Sequence, residues 1–319
     1  MSEGAKVAHY LSVLDLSAQE TMGVLQLAEE LKRARAQGVA HARLAGKTLA
    51  MIFQKPSLRT RVSFDLAMLH LGGQALYLSP NEIGLGQRES IADVARVLAR
   101  YVDGIMARVF AHDHVVELAR HSRVPVINGL SDHEHPCQAM ADVLTIVEHC
   151  GKLKGLKVVF LGDGNNVARS LMFACALGGA QFVCAAPEGY ALDDASVVQA
   201  RTLAEKSGGR VEWIVHPQAA ARDADVLYTD VWASMGQEAE EAERAKIFPP
   251  YQINAPLVAL AKPSAIVMHC LPAHRGAEIT DEVMDGPHSV VFDQAENRMH
   301  AQKAIVAILM VGKKRKTKW

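Results

Sequence analysis

The chain has 319 residues, of which 50% are hydrophobic and 22% are charged, a composition typical of a folded globular enzyme of about two domains. Its 34 basic and 35 acidic residues leave a net charge of −1, so no overall field favours binding to nucleic acid or to a membrane. No apolar run reaches the ~18 residues of a membrane span, the first residues lack the apolar core of a secretory signal, and the five cysteines are scattered, so we expect a cytoplasmic protein.

The predicted elements alternate between helix and strand. A capping box at Ser17 and Glu20 predicts the start of an N-terminal helix, which Gly38 ends. Apolar runs predict strands at 48–53, 74–79, 104–110, 124–128, 157–161, 181–185, 210–215, 225–229, 265–269 and 289–293. Amphipathic patterns predict helices at 61–71, 90–101, 112–120, about 135–150 and about 294–312. Such alternation indicates parallel sheets that are covered by helices on both faces.

A short polar break at Gly151–Gly155 is the predicted domain boundary. We therefore expect the α/β class, with two doubly wound parallel-sheet domains at 1–150 and 151–299. The apolar residues of the last helix predict that the C-terminal segment, about 300–319, packs back on the first domain. The basic run Lys313–Lys318 is expected to be a solvated tail.

The loop Ser57-Leu58-Arg59-Thr60-Arg61 lies between a predicted strand and a predicted helix. Backbone N–H groups at a helix start favour an anion. Two hydroxyls and two guanidiniums add donors that suit phosphate oxygens. The loop therefore predicts capture of a small phosphorylated ligand, although arginines near a helix start are also commonly solvated.

Polar side chains follow most of the other predicted strands. Because ligands bind at the carboxyl ends of parallel strands, these residues predict one cleft between the two domains. They fall in the segments Lys55–Arg61, Arg108, Ser131–Gln138, Gly162–Asn166, Asp230–Gly236, His269–Pro272 and Gln294–Arg298.

Two other interpretations of these segments are weaker. Gly162-x-Gly164 after a strand resembles a dinucleotide fingerprint, but Val167 stands where the third glycine belongs. His133, His135 and Cys137 match no common zinc spacing, and Pro136 disfavours their convergence. We expect neither a metal nor an organic cofactor.

The segments taken together resemble the aspartate/ornithine carbamoyltransferase family over nearly the full chain. The Ser-x-Arg-Thr-Arg loop and His135-Pro-Cys-Gln138 are similar to the whole family. Asp230-Val-Trp-Ala-Ser-Met-Gly236 and His269-Cys-Leu-Pro272 are similar to its ornithine-type members. The resemblance implies transfer of the carbamoyl group of carbamoyl phosphate to the δ-amine of L-ornithine, giving L-citrulline and phosphate.

The resemblance also implies the role of each domain. The first domain would bind carbamoyl phosphate, with Arg108 bridging its phosphate and carbonyl oxygen, His135 donating to the carbonyl oxygen and Gln138 accepting from the carbamoyl NH₂. The implied carbamoyl-phosphate residues are Ser57, Leu58, Arg59, Thr60, Arg108, His135, Gln138, Cys270, Leu271 and Arg298.

The second domain would bind ornithine. Asp230 and Cys270 are the implied catalytic residues beside the δ-nitrogen, and Asn166, Ser234 and Met235 would hold the amino-acid end. Cys270 could accept a proton if His269, Arg298 or a nearby helix terminus lowers its pKa. The alternative for His269 is a purely structural role as a hydrogen-bond donor.

The chain departs from the family pattern in the loop before Glu89. In members of the family, this loop contacts the phosphate site of the neighbouring subunit. Gly84 stands where a glutamine is usually aligned, so Gln87 and Arg88 are the candidates for that contact. The resemblance implies a homotrimer or a multiple of trimers. Two alternatives stay open: another amine as acceptor, acetylornithine or putrescine, and a metabolite-binding subunit whose catalytic site has decayed.

Overall fold

The structure, a computed structural model, describes residues 9–233 and 238–311. It divides into two compact units, 1–140 with 298–319 and 141–297. The division falls inside two helices, at Met140 and at Asn297. The expected functional boundary near residue 150 stays a prediction.

The described residues form nine strands, all in parallel pairs. They are β1 (Thr48–Phe53), β2 (Gln74–Leu78), β3 (Gly104–Arg108), β4 (Val126–Leu130), β5 (Lys157–Leu161), β6 (Gln181–Ala185), β7 (Arg210–Ile214), β8 (Val226–Thr229) and β9 (Ile266–His269). The sheet orders are β2-β1-β3-β4 in the first unit and β7-β6-β5-β8-β9 in the second. The predicted class, two parallel-sheet α/β domains, is confirmed.

The α-helices of the described residues connect successive strands or flank them. They are α1 (Ala18–Ala36), α2 (Leu58–His70), α3 (Pro80–Ile83), α4 (Ile91–Tyr101), α5 (His112–His121), α6 (Pro136–Cys150), α7 (Asn166–Gly178), α8 (Asp194–Ser207), α9 (Pro217–Ala221), α10 (Glu241–Ile247), α11 (Ala255–Val258), α12 (Asp281–Met284) and α13 (Val291–Met310). Short 3₁₀ turns lie at Val13–Asp15, Glu238–Glu240 and Pro249–Tyr251. No helix in these ranges combines the length and hydrophobicity needed to cross a bilayer.

One predicted strand, 289–293, was wrong. Ser289 makes only an isolated bridge to Val267, and helix α13 begins at Val291. Val290 and Val291 are buried. They are hydrophobic because the start of a helix packs against the sheet here, and not because they form a strand. A short apolar run does not distinguish the two cases.

The core of each unit lies against its sheet. In the first unit, β1 and β3 pack through Ile52 and Ile105 against Val94 of α4 and Leu118 of α5. In the second unit, the side chains of β5, β6, β8 and β9 pack against small apolar residues of α9, α11 and α12. The C-terminal half of α13 belongs to the first unit, where Lys303 Nζ donates to the Leu31 carbonyl at 3.4 Å. The expected return of the last helix to the first domain is confirmed.

Candidate active site

Residues Ser57–Arg61 of the first unit, here called the anion loop, form the start of α2. Ser57 is the N-cap: its Oγ accepts from the Thr60 N–H at 3.3 Å and donates to Thr60 Oγ1 at 3.1 Å. Thr60 is fully buried. The Ser57 cap thus fixes the first turn, where backbone donors and the helix dipole favour an anion.

The two arginines of the loop differ in their surroundings. The Arg61 guanidinium lies 4.1 Å from the centre of the Tyr77 ring, on the exposed side of α2. Arg59 is half-buried. Leu58, which lies between Ser57 and Arg59, is 74% exposed. Arg61 is thus engaged in a cation–π contact over β2, which leaves Arg59 as the loop's candidate phosphate cation.

Helix α13 brings a third arginine, Arg298, to this loop. Arg298 is 3% exposed, and its Nη2 donates to Thr60 Oγ1 at 2.9 Å. Two residues that the sequence assigned to carbamoyl phosphate are therefore in direct contact.

The strand order places Arg108 beside the same loop. Arg108 ends β3 opposite Phe53 of β1, and the Gln54 N–H donates to the Arg108 carbonyl at 2.8 Å. Chain connections leave β1 and β3 in opposite directions across the sheet. This is the switch point where open α/β sheets bind ligands.

His135 lies at the start of α6, after β4. It is 4% exposed, and burial, reinforced by the positive charges of Arg298, Arg108 and Lys55, holds its pKa well below the usual range. The neutral imidazole retains one N–H donor. Gln138, also buried, follows one turn later and donates its backbone N–H to the His135 carbonyl at 3.0 Å. Lys55 is thus a further basic residue near His135 to which the sequence assigned no role.

In the second unit, Asp230 follows β8 at the switch point between β5 and β8. Its Oδ2 accepts from Asn165 Nδ2 at 2.8 Å, and its Oδ1 accepts from the Val231 N–H at 2.8 Å and from Cys270 Sγ at 3.0 Å. Two predicted catalytic residues, Asp230 and Cys270, are therefore adjacent. Cys270 acts as a donor to the carboxylate.

His269 is held by a second buried carboxylate. Its Nδ1 accepts from the Leu271 N–H at 2.9 Å, so Nε2 carries the proton and donates to Glu278 Oε1 at 3.0 Å. Burial raises the pKa of the Glu278 carboxyl, but hydrogen bonds from His269 and the His274 N–H bring it below the usual value. His269 is thus a structural donor. Leu271, with φ of 59°, occupies the left-handed region that is costly for a branched side chain.

A buried polar network supports the ends of β8 and β9. The Gln294 amide donates to Asp142 Oδ1 at 2.7 Å and to the Tyr228 hydroxyl at 3.0 Å, and its oxygen accepts from the His269 N–H at 2.9 Å. Tyr228 and His269 each stand within two residues of a candidate catalytic group. The network therefore fixes the strand ends that carry Asp230 and Cys270.

Among the described residues, Asp230, His269 and Cys270 form one group whose ligand-type atoms lie within 4.8 Å of one another. Both nitrogens of His269 and both oxygens of Asp230 already take part in hydrogen bonds. The group therefore fits a hydrogen-bonded cluster better than a tetrahedral metal site.

Gly164, which follows β5, serves chain packing. A Cβ on Gly164 would lie 2.4 Å from the Leu192 backbone nitrogen, and the Gly164 N–H donates to the Tyr190 carbonyl at 2.7 Å. The turn at Gly164 is therefore covered by residues 190–192. A dinucleotide fingerprint needs glycine so that its backbone can approach a pyrophosphate, which is not the use made of Gly164.

The loop expected to reach a neighbouring subunit is exposed at Gln87 and Arg88. Gly84 ends α3 with φ of 48°, and a Cβ there would lie 2.9 Å from the Arg88 Cβ. A glutamine at position 84 would be strained in this loop, which explains the departure locally.

Ser234, Met235 and the basic run Lys313–Lys318 lie outside the described residues. Asn166 is half-buried at the first position of α7, while its neighbour Asn165 is the side chain that contacts Asp230. Leu271 and Cys270 belong to the second unit, and their part in carbamoyl phosphate binding stays a prediction.

The family comparison covers both units. The family model described as "Aspartate/ornithine carbamoyltransferase, carbamoyl-P binding domain" matches residues 8–148, and the one described as "Asp/Orn binding domain" matches residues 154–309. The chain belongs to the aspartate/ornithine carbamoyltransferase family. Membership in this family agrees with the resemblance found in the motifs.

Full-length relatives within the aspartate/ornithine carbamoyltransferase family are similar to the chain. A Pyrococcus furiosus protein named "Ornithine carbamoyltransferase, anabolic" is 58% identical over 95% of this chain and 96% of its own length. The solved structure of the ornithine carbamoyltransferase from Pyrococcus furiosus matches with a TM-score of 0.94 at 57% identity, over 97% of this chain and 98% of that one. A mutant N-acetyl-L-ornithine transcarbamylase matches at 33% identity with a TM-score of 0.86, over 94% and 99% of the two chains.

Proposed function

We propose that the protein transfers the carbamoyl group of carbamoyl phosphate to the δ-amine of L-ornithine, producing L-citrulline and phosphate. The observation that carries the proposal is a pair of residue clusters, one at the switch point of each sheet. In one, Arg298 donates to Thr60 of the α2 N-terminus at 2.9 Å, and burial with the charges of Arg298, Arg108 and Lys55 lowers the pKa of His135. The other joins Asp230 to Cys270 by a 3.0 Å hydrogen bond. Relatives that are 58% identical over nearly the whole chain carry the name ornithine carbamoyltransferase.

The phosphate of the donor substrate is assigned to the first unit. Ser57, Leu58, Arg59 and Thr60 supply the α2 N-terminus, and Arg298 adds a buried cation at Thr60. Each hydrogen bond to a charged group contributes about 1.5–3 kcal/mol. Residues 1–150, with the C-terminal helix about 300–319, are proposed as the carbamoyl-phosphate-binding domain.

Arg108 and His135 are assigned to the carbonyl oxygen. A permanently charged guanidinium stabilises the negative charge that develops on this oxygen as the amine attacks. His135, whose pKa is lowered, donates one N–H without adding a second full charge, and Gln138 orients the carbamoyl NH₂. Cys270 and Leu271 complete the proposed set.

The acceptor must present a neutral amine. A free alkyl ammonium has a pKa near ~10.4, so neutralising it at pH 7 costs roughly 4.6 kcal/mol. Asp230 is proposed to orient the neutral δ-amine, with the Cys270 thiol holding the carboxylate. As the nitrogen–carbon bond forms and the carbon–oxygen bond to phosphate breaks, the amine proton leaves with the phosphate. Asn166, Ser234 and Met235 are assigned to the amino-acid end, and residues 151–299 to the ornithine-binding domain.

The assembly and cellular context are proposed on the same family basis. A homotrimer or a multiple of trimers would let Gln87 and Arg88 reach a neighbouring subunit, since both side chains are exposed. Five free cysteines, four of them buried, fit a reducing compartment, and we propose the cytoplasm. A role in arginine metabolism and amino-acid biosynthesis follows from the product and the name "anabolic" of one relative.

A second acceptor deserves a direct comparison because an N-acetyl-L-ornithine transcarbamylase shares the fold. The experiment is a citrulline assay with carbamoyl phosphate and, in parallel, ornithine, acetylornithine, putrescine and aspartate, each product being separated by mass. We expect kcat/KM for ornithine to exceed the others at least a hundredfold. Faster turnover of another amine would show that this amine, and not ornithine, is the acceptor. Binding of carbamoyl phosphate without turnover of any amine would indicate a decayed catalytic site.

A further inference from the structure

Arg244 is a buried cation outside the residues assigned to either substrate. It lies on α10, is 5% exposed, and its side chain makes polar contacts with three separate groups. Nη1 lies 2.9 Å from Asp163 Oδ2 and donates to the Trp232 carbonyl at 2.7 Å, while Nε donates to Glu240 Oε2 at 2.9 Å. A lysine has one nitrogen and cannot reproduce this fork.

The contacts of Arg244 join loops that follow three strands. Asp163 follows β5, and Trp232 follows β8. The guanidinium also lies 4.9 Å from the centre of the Tyr190 ring, in the segment that follows β6. Arg244 therefore connects the carboxyl ends of three neighbouring strands at the switch point of the second sheet.

Two routes lead from Arg244 to Asp230. Along the first, the Asn165 N–H donates to the Asp163 carbonyl at 2.7 Å, and the Asn165 side chain donates to Asp230 Oδ2 at 2.8 Å. Along the second, the Arg244 contact with the Trp232 carbonyl holds the chain two residues beyond Asp230. Both the side chain and the backbone of Asp230 are thus linked to one guanidinium.

The charge of Arg244 has a clear counterpart at Asp163. The Asp163 side chain is 11% exposed, and burial raises the pKa of its carboxyl while the Arg244 charge opposes that rise. Removing one partner would leave the other charge buried without its ion pair, which is costly. The pair is therefore placed to hold a fixed geometry rather than to add stability.

We propose that Arg244 is a positioning residue for the acceptor amine: it fixes the orientation of Asp230 through Asp163 and Asn165 and through the Trp232 carbonyl. The inference rests on the proposed function, because it assigns Asp230 to the δ-amine. It predicts that Arg244 governs the use of ornithine and not the binding of carbamoyl phosphate.

The test is steady-state kinetics of the full-length protein with both substrates varied. The variants are Arg244→Met, Arg244→Lys and Asp163→Asn, and the matched control is Arg275→Met. Arg275 also pairs with two carboxylates, Asp281 and Asp285, but its side chain is 37% exposed, and exposed pairs contribute little. Circular dichroism and the midpoint of thermal unfolding give the folded fraction of each protein.

For Arg244→Met we expect the KM for ornithine to rise at least tenfold and kcat to fall at least threefold, with the KM for carbamoyl phosphate within twofold. Arg244→Lys and Asp163→Asn should show smaller shifts in the same pattern, and Arg275→Met none. If Arg244→Met does not fold, the two milder variants decide. Unchanged kinetics, or losses that follow the folded fraction and affect both substrates equally, would overturn the inference. Absence of ornithine turnover in the unsubstituted protein would instead overturn the proposed function.

Discussion

Arg298 donates a hydrogen bond from Nη2 to Thr60 Oγ1 at 2.9 Å, although 238 positions separate the two residues in the chain. The contact joins α13 to the first turn of α2. It is the reason why the C-terminal helix contributes to the anion loop as well as to the core of the first unit.

Replacing Arg298 by methionine is expected to weaken carbamoyl phosphate binding about ten- to hundredfold. The substitution removes a buried cation and its hydrogen bonds, each contributing about 1.5–3 kcal/mol when a charged group is involved. The KM for carbamoyl phosphate and direct calorimetric binding both measure the effect. Arg61→Met is the matched control, since Arg61 lies over the Tyr77 ring, and it should stay within about twofold. An equal effect of the two substitutions would contradict the assigned roles.

Asp230→Asn is expected to lower kcat about a hundredfold with little change in carbamoyl phosphate binding. The neutral amide cannot stabilise the positive charge that develops on the attacking nitrogen, and loss of one such electrostatic contact costs about 10²–10³-fold in kcat. Cys270→Ala should lower kcat about tenfold because Asp230 loses one of its donors. Cys150→Ala, at a half-buried cysteine, serves as the control. Larger changes in carbamoyl phosphate affinity than in kcat would argue against this division.

His135 should make stability fall as the pH is lowered below about 6.5. Burial, with Arg298, Arg108 and Lys55, lowers its folded-state pKa, so below the ordinary value of ~6.5 the unfolded chain binds a proton that the folded chain does not. One such proton gives a slope of about 1.4 kcal/mol per pH unit. Chemical denaturation between pH 5 and pH 8 should show a smaller slope for His135→Gln. The exposed His133→Gln should keep the slope of the unsubstituted protein, and equal slopes in all three would refute the prediction.

Lys303→Met is expected to increase the free energy of unfolding at pH 7 by about 1–3 kcal/mol. Lys303 is fully buried, and burial, then the Arg35 charge, lowers its pKa to about 8. Between pH 8 and 10.5 the unfolded chain holds a proton that the folded chain has released, so stability rises with pH across this window. The rise should vanish in Lys303→Met and persist in the exposed Lys206→Met. A destabilised Lys303→Met protein at pH 7 would contradict the expectation.

Much of the fold could be predicted because the patterns are local. The Ser17 capping box and the polar residues after each strand are encoded within a few positions. The error at 289–293 arose where two valines, Val290 and Val291, pack against the sheet from a turn and a helix start. Hydrophobic periodicity alone cannot tell whether so short an apolar run is a strand or part of a helix.

The supporting residues of the candidate site were not predictable in the same way. Gln294 contacts Asp142 across 152 positions, and Glu278 reaches His269 only through the fold. Arg244 acts on three loops at once, and no spacing in the sequence marks it. Glutamine, glutamate and arginine are ordinary surface residues by composition. Only their burial and contacts in the folded structure show which side chains and loops they position.

The most direct test is a crystal structure with a bisubstrate analogue, a phosphonate mimic of carbamoyl phosphate joined to the δ-nitrogen of ornithine. The account predicts the phosphonate against Arg59, Thr60 and Arg298, the carbonyl oxygen against Arg108 and His135, and the δ-nitrogen against Asp230. An analogue bound with its phosphonate away from the α2 N-terminus, or with its amino-acid end away from Asp230, would contradict it.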